Sequence, residues 1–151
     1  MTTQKIQIAI KADPAQVWAA VTDPTITPAY YYGFEARYDL TPGAAYAYLS
    51  GGQPVITGRL RDVVEGKKLS MTFRGTWAAD VAELPESIVT YELGEAAMAV
   101  PGLTALTLTH EGLPDTESAR NVEKGWVLIL SGLKTLLETG RPLIATPGVE
   151  G

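Results

Sequence analysis

The chain has 151 residues, 46% of them hydrophobic and 19% charged, which is enough for one ordinary domain with a real core and too apolar for disorder. Its formal net charge is -5 and its basic residues are scattered, so neither nucleic acid nor an anionic membrane surface is an expected partner. No cysteine is present, which removes disulfides, thiolate nucleophiles and cysteine-ligated metal centres together.

Met1 to Lys5 runs into Ile6-Gln7-Ile8 without a long apolar stretch. No signal peptide or membrane span is expected, and the chain reads as cytoplasmic. From Lys5 to Ala12, Ile6, Ile8 and Ile10 alternate with polar residues, a period of two that predicts a half-buried strand. Asp13-Pro14-Ala15-Gln16 then supplies a capping side chain, a proline for the first helical position and a glutamine to close a capping box. A short helix follows through Val17, Trp18, Ala20 and Val21, and Thr27-Pro28 starts one more turn that Gly33 ends.

The middle of the chain predicts strands over Phe34–Leu40, Ala44–Ser50, Val55–Glu65, Lys68–Trp77, Ser87–Leu93 and Leu103–Glu111. In the clearest of them Leu69, Met71, Phe73 and Trp77 share one face, with Ser70, Thr72, Arg74 and Thr76 on the other. Arg59, Arg61 and Arg74 fall opposite the apolar residues and read as a solvated face. The segment around Leu84-Pro85 reads as a loop. After Thr116 the period changes: Val122, Trp126, Ile129, Leu133 and Leu136/Leu137 recur at helical steps, and Gly140 and Pro142 end the helix. Residues 1–140 are expected to form one domain and 141–151 a C-terminal tail. The fold class is α+β: a curved antiparallel sheet of about six or seven strands around a long C-terminal helix, with two short helices after the first strand.

Three runs resemble a known family in the right order. Asp13-Pro14-Ala15-Gln16-Val17-Trp18 through Asp23-Pro24 is similar to its opening helix, Leu106-Thr107-Leu108-Thr109-His110-Glu111-Gly112-Leu113 to its last strand, and Gly125-Trp126 through Leu137-Glu138 to its closing helix. Together they resemble the START/Bet v-type (SRPBCC) superfamily, in the branch named for homologues of the activator of the heat-shock-protein-90 ATPase. The resemblance implies a helix-grip fold with a cavity between sheet and long helix. It does not imply one activity, because members include lipid and hormone carriers, polyketide cyclases and chaperone regulators. Where many relatives place a Trp after the opening helix, this chain has Tyr30-Tyr31-Tyr32, which implies a more polar cavity mouth.

His110 is the single histidine, and its parity with Leu106 and Leu108 puts it on the inner face. One reading is a proton donor and acceptor; the commoner one is a strand-end histidine hydrogen-bonded within the fold. If there is catalysis, His110 and Tyr91 are the acid–base candidates for an enclosed cyclisation or dehydration. One histidine and no cysteine leave no expected metal site, and nothing in the sequence calls for a cofactor. Seven tyrosines with Phe34, Phe73, Trp77 and Trp126 suit a flat, partly oxygenated ligand, or else pack the core. The expected ligand-binding set is Tyr32, Phe34, Tyr48, Met71, Phe73, Trp77, Tyr91, His110, Trp126, Ile129 and Leu133. Gly125 and Gly132 share a helix face, where they either keep volume out of a cavity or admit a close neighbour. The apolar run Trp126–Leu130 wraps around its helix, which leaves a homodimer open as a possibility. The functional expectation is binding of an apolar or aromatic small molecule, lipid-like or polyketide-like. The alternatives are a non-enzymatic regulator of the chaperone's ATPase and a cyclase/dehydratase-like enzyme.

Overall fold

The structure, a computed structural model, describes residues 1–95 and 100–144. The last seven residues of the expected tail, 145–151, lie outside the described residues. Seven strands form one antiparallel sheet: β1 (Thr2–Ile10), β2 (Glu35–Tyr38), β3 (Ala45–Ser50), β4 (Gln53–Val64), β5 (Lys68–Gly75), β6 (Ser87–Glu95) and β7 (Thr104–Leu113). Strands β2 to β7 run as a meander, and β1 joins at the far side against β7, giving the order β1-β7-β6-β5-β4-β3-β2. Helix α1 (Pro14–Thr22) and a short 3₁₀ turn (Thr27–Ala29) fill the connection from β1 to β2, and α3 (Glu117–Thr139) closes the sheet. This is the helix-grip arrangement.

Local chemistry sets the ends of the helices. Asp13 accepts from the Gln16 N–H at 2.8 Å while Gln16 Oε1 accepts from the Asp13 N–H at 3.0 Å, completing the capping box ahead of Pro14. At α3 the Thr116 hydroxyl accepts from Ala119, and Gly140 takes the left-handed conformation, φ 77°, that ends the helix. The stripe Ala119, Val122, Trp126, Ile129, Leu130 and Leu133 is buried against the sheet. Opposite it stand Leu106, Leu108 and His110 of β7, Val89 and Tyr91 of β6, and Leu69, Met71 and Phe73 of β5, all buried. The free edge of β1 is tied to the far end of α3: Lys134 Nζ donates to the Ala9 carbonyl at 2.7 Å, and Glu138 accepts from the Lys11 N–H at 2.8 Å. One carbonyl of the edge strand and the amide just past its end are covered in this way.

Several boundaries differ from the sequence reading. β1 begins at Thr2, because pairing with β7 carries it back to Leu113. β5 ends at Gly75, so Trp77 lies in the following loop rather than on the strand. That loop contains a four-residue helix, α2 (Ala79–Ala82), where none is expected; Asp80 accepts from the Ser118 hydroxyl at 2.8 Å and so fastens it to the start of α3. Among the described residues, no helix is long and apolar enough to cross a membrane.

Candidate functional site: an aromatic cavity under the long helix

Between the N-terminal half of α3 and the sheet lies a cavity of about 340 Å³. Helix α3 contributes Asn121, Val122, Gly125, Trp126 and Ile129, positions separated by whole turns that share one face. The sheet contributes Ile56 and Phe73; the segment after the 3₁₀ turn contributes Tyr31, Tyr32 and Phe34; the β5–α2 loop contributes Trp77. None of these lining residues is charged. The floor is buried, formed by Ile56, Phe73, Tyr31, Trp126 and Ile129, whereas Tyr32 and Trp77 at the mouth are 50% and 41% exposed.

Glycines shape this space. A Cβ on Gly75 would strike the ring of Trp77, so this glycine lets the indole lie against the β5 backbone, edge-on to Phe73 at 6.2 Å. A Cβ on Gly125 would meet only the Tyr32 hydroxyl, at 3.4 Å, so the missing side chain there is cavity volume. Gly132 serves the other purpose: its Cβ would stand 3.3 Å from Tyr30 Cβ, and its absence lets the segment after α1 pack closely on α3. The two helix glycines therefore divide the alternatives between them.

Of the expected ligand-binding residues, Tyr32, Phe34, Phe73, Trp77, Trp126 and Ile129 line the cavity. Tyr48, Met71, Tyr91, His110 and Leu133 do not; they are buried in the packed core. Trp126 is the partition between the two sets, edge-on to Tyr31 on one side and to Tyr91 and His110 on the other. Tyr31, Ile56, Asn121 and Val122 line the cavity without having been singled out as binding residues. Asn121 stands one helical turn before Gly125, and only the facing of that glycine marks it.

His110 is fully buried and both its ring nitrogens are engaged. Trp126 Nε1–H, which can only donate, lies 2.9 Å from Nδ1, so Nδ1 accepts and the proton sits on Nε2. Nε2 donates to Ser87 Oγ at 2.7 Å, and Ser87 passes a longer bond, 3.4 Å, to the Phe73 carbonyl. Burial pushes the His110 pKa down to about 4, so the ring is neutral at pH 7. This arrangement fixes the plane of Trp126, a wall of the cavity.

The tyrosines beneath are similarly engaged. Tyr38 and Tyr48 share a hydroxyl–hydroxyl bond of 2.6 Å, Tyr38 donates to Met71 Sδ at 3.6 Å, and Tyr46 donates to the Thr72 carbonyl at 2.6 Å. Burial holds the hydroxyls of Tyr31, Tyr38, Tyr48 and Tyr91 well above the usual tyrosine range, so they stay protonated. Among the described residues no three acidic or histidine side chains come together to hold a metal.

The profile of the family described as activator of Hsp90 ATPase homolog 1-like protein matches residues 11–138. The chain belongs to this family. Among solved structures, the activator-like fold is shared by protein CV1439 from Chromobacterium violaceum, 28% identical, with a TM-score of 0.67 over 90% of this chain and 96% of that one. DynU16, described as a putative protein in the dynemicin biosynthetic locus, is 24% identical with a TM-score of 0.74 over 93% of this chain; this chain spans 48% of DynU16. PFC0360w, described as an HSP90 activator from Plasmodium falciparum, is 19% identical with a TM-score of 0.73 over 94% of this chain and 99% of that one. The latter two likenesses are of fold. Among curated proteins none matches the chain.

Proposed function

We propose that this protein binds an uncharged, flat, largely apolar small molecule in the cavity under α3, and that it holds the molecule rather than transforming it by acid–base chemistry. The observation that carries this reading is the cavity itself: about 340 Å³, walled by rings and aliphatic chains with no charged residue among them. That volume lies toward the small end of ligand sites and admits roughly two or three fused rings. An ionised ligand group buried there would lose its hydration without gaining a counter-charge. A cyclase or dehydratase would need a proton donor or acceptor at the ligand, and His110 and Tyr91 stand behind Trp126 with protonation states fixed by burial.

The test is native mass spectrometry of the protein purified from its own host, beside a Gly125→Leu variant in which a side chain occupies the cavity. The expected result is a retained uncharged adduct on the wild type that the folded variant lacks. An adduct of equal occupancy on both would place the ligand elsewhere.

A second reading, docking on a chaperone of the Hsp90 class, draws on membership of the activator family and on Val127 and Leu128, which α3 exposes on its outer side. Addition of this protein changing the chaperone's ATP turnover, with Val127→Glu abolishing the change, would favour it. The same exposed pair is where a second copy would pack, and native mass spectrometry reads a homodimer directly.

A further inference from the structure

The cavity is walled mainly by rings and aliphatic chains, with the buried Tyr31 bringing a hydroxyl to its floor and further polar groups standing at its rim. Trp126 is the floor residue with an indole N–H, and that N–H is spent on His110. At the mouth three polar groups make no hydrogen bond among the described residues: the Asn121 carboxamide, the Tyr32 hydroxyl and the Trp77 indole N–H. This contrasts with the tyrosines of the core, where Tyr30, Tyr38, Tyr46 and Tyr48 all have partners.

Two further features concern Tyr32. It is the one non-glycine residue among those described with a positive φ, 54°, a conformation disfavoured for a bulky side chain. With Gly33 at 77° it reverses the chain between the 3₁₀ turn and β2 and carries the tyrosine out over the mouth. Glycine or asparagine would take this position at lower strain, so the conformation is maintained against local preference. The Tyr32 hydroxyl also reaches α3 beside Gly125, where a Cβ would be 3.4 Å away, one turn from Asn121 on the same helix face. The Asn121 carboxamide, one turn before Gly125, and the Tyr32 hydroxyl, which reaches in beside Gly125, thus stand together at the entrance to an aromatic cavity.

Resting on the reading that the cavity holds a ligand, we infer that the ligand is a fused-ring compound bearing a neutral oxygen at one end, which enters rings first and is read at the rim by Asn121 and Tyr32. The Asn121 carboxamide donates to a carbonyl oxygen or accepts from a hydroxyl, and the Tyr32 hydroxyl does either. The rings lie against Phe73, Trp77 and Trp126, which line one continuous wall. Trp77 is held in place for this by the notch at Gly75. An aliphatic chain would fill the slot without stacking, and a carboxylate would meet no cation at the rim.

Calorimetric titrations with naphthalene, 2-naphthol and 1-decanol test the inference on wild type, Asn121→Leu and Tyr32→Phe. The expected result is 2-naphthol binding roughly three- to tenfold tighter than naphthalene, the worth of about one hydrogen bond, with decanol weaker than both. Asn121→Leu removes that advantage, read as the ratio of the two affinities, and Tyr32→Phe removes part of it. Asn121 is solvent-exposed, so its replacement leaves the fold intact. Equal affinity for naphthalene and 2-naphthol, or equal weakening of both by Asn121→Leu, overturns the rim assignment while the cavity reading stands. Binding of none of the probes to the wild type overturns the cavity reading and the assignment with it.

Discussion

Lowering the pH from 7 to 4 puts a proton on His110, and the structure says what that proton must break. Nδ1 is the acceptor for the Trp126 indole N–H, so a protonated ring points one donor at another and carries a charge in a fully buried site. The folded pKa is depressed, so the unfolded chain binds the proton first as pH falls. Stability from the neutral ring is complete above pH 6.5 and is lost between 6.5 and the folded value of about 4. At 1.36 kcal/mol for each pH unit, that interval is worth about 3 kcal/mol. His110 is the only histidine, so its ring resonances in a pH titration by NMR report it without assignment. Denaturant unfolding at pH 7 and 4.5 gives the energetic counterpart, with His110→Gln as the non-titrating reference. The expected loss is larger in the wild type than in the variant by about 2 kcal/mol or more. A ring that titrates near 6.5, or identical pH dependence in both proteins, would refute the geometry assigned to His110.

The two helix glycines should respond oppositely to alanine. Gly125→Ala gains about 1 kcal/mol of helix propensity and raises Tm, because only the movable Tyr32 hydroxyl is near, while ligand affinity falls. Gly132→Ala loses that gain against Tyr30, which is anchored by its 2.7 Å bond to the Ala20 carbonyl; thermal melts showing equal stabilisation would contradict this. Gly58→Ala drives a methyl into the Thr72 carbonyl on β5 and should cost about 3 kcal/mol in chemical denaturation. Tyr38→Phe leaves the buried Tyr48 hydroxyl without the acceptor 2.6 Å away and should cost about 1–2 kcal/mol, with no change in cavity binding.

The fold was legible because its signals are local and repeated. Alternation in β1 and β5, the capping box at Asp13 and Gln16, and the stripe from Val122 to Leu133 ended by Gly140 each specify an element without tertiary information. Helix α2 was not legible, since four residues give no period and its anchor is a contact with Ser118 on a distant element. For the site, parity reveals which residues face the helix but not how deep they lie. Phe73 lines the cavity and Met71, two residues earlier on the same face, is packed beneath it. Trp77 has the same parity but owes its place at the mouth to the notch at Gly75, a feature that alternation does not encode. Asn121 carries no chemical signature of its own and becomes a candidate only once Gly125 is seen to face open space.

The central claim is that a small aromatic ligand occupies the space beneath α3, and methyl NMR tests it most directly. A titration with 2-naphthol should shift the Ile56, Val122 and Ile129 methyls together and saturably, while those of Leu106 and Leu108, fully buried away from the cavity, stay in place. No saturable shift at the three cavity methyls, or shifts confined to Val127 and Leu128 on the outer side of α3, would contradict it.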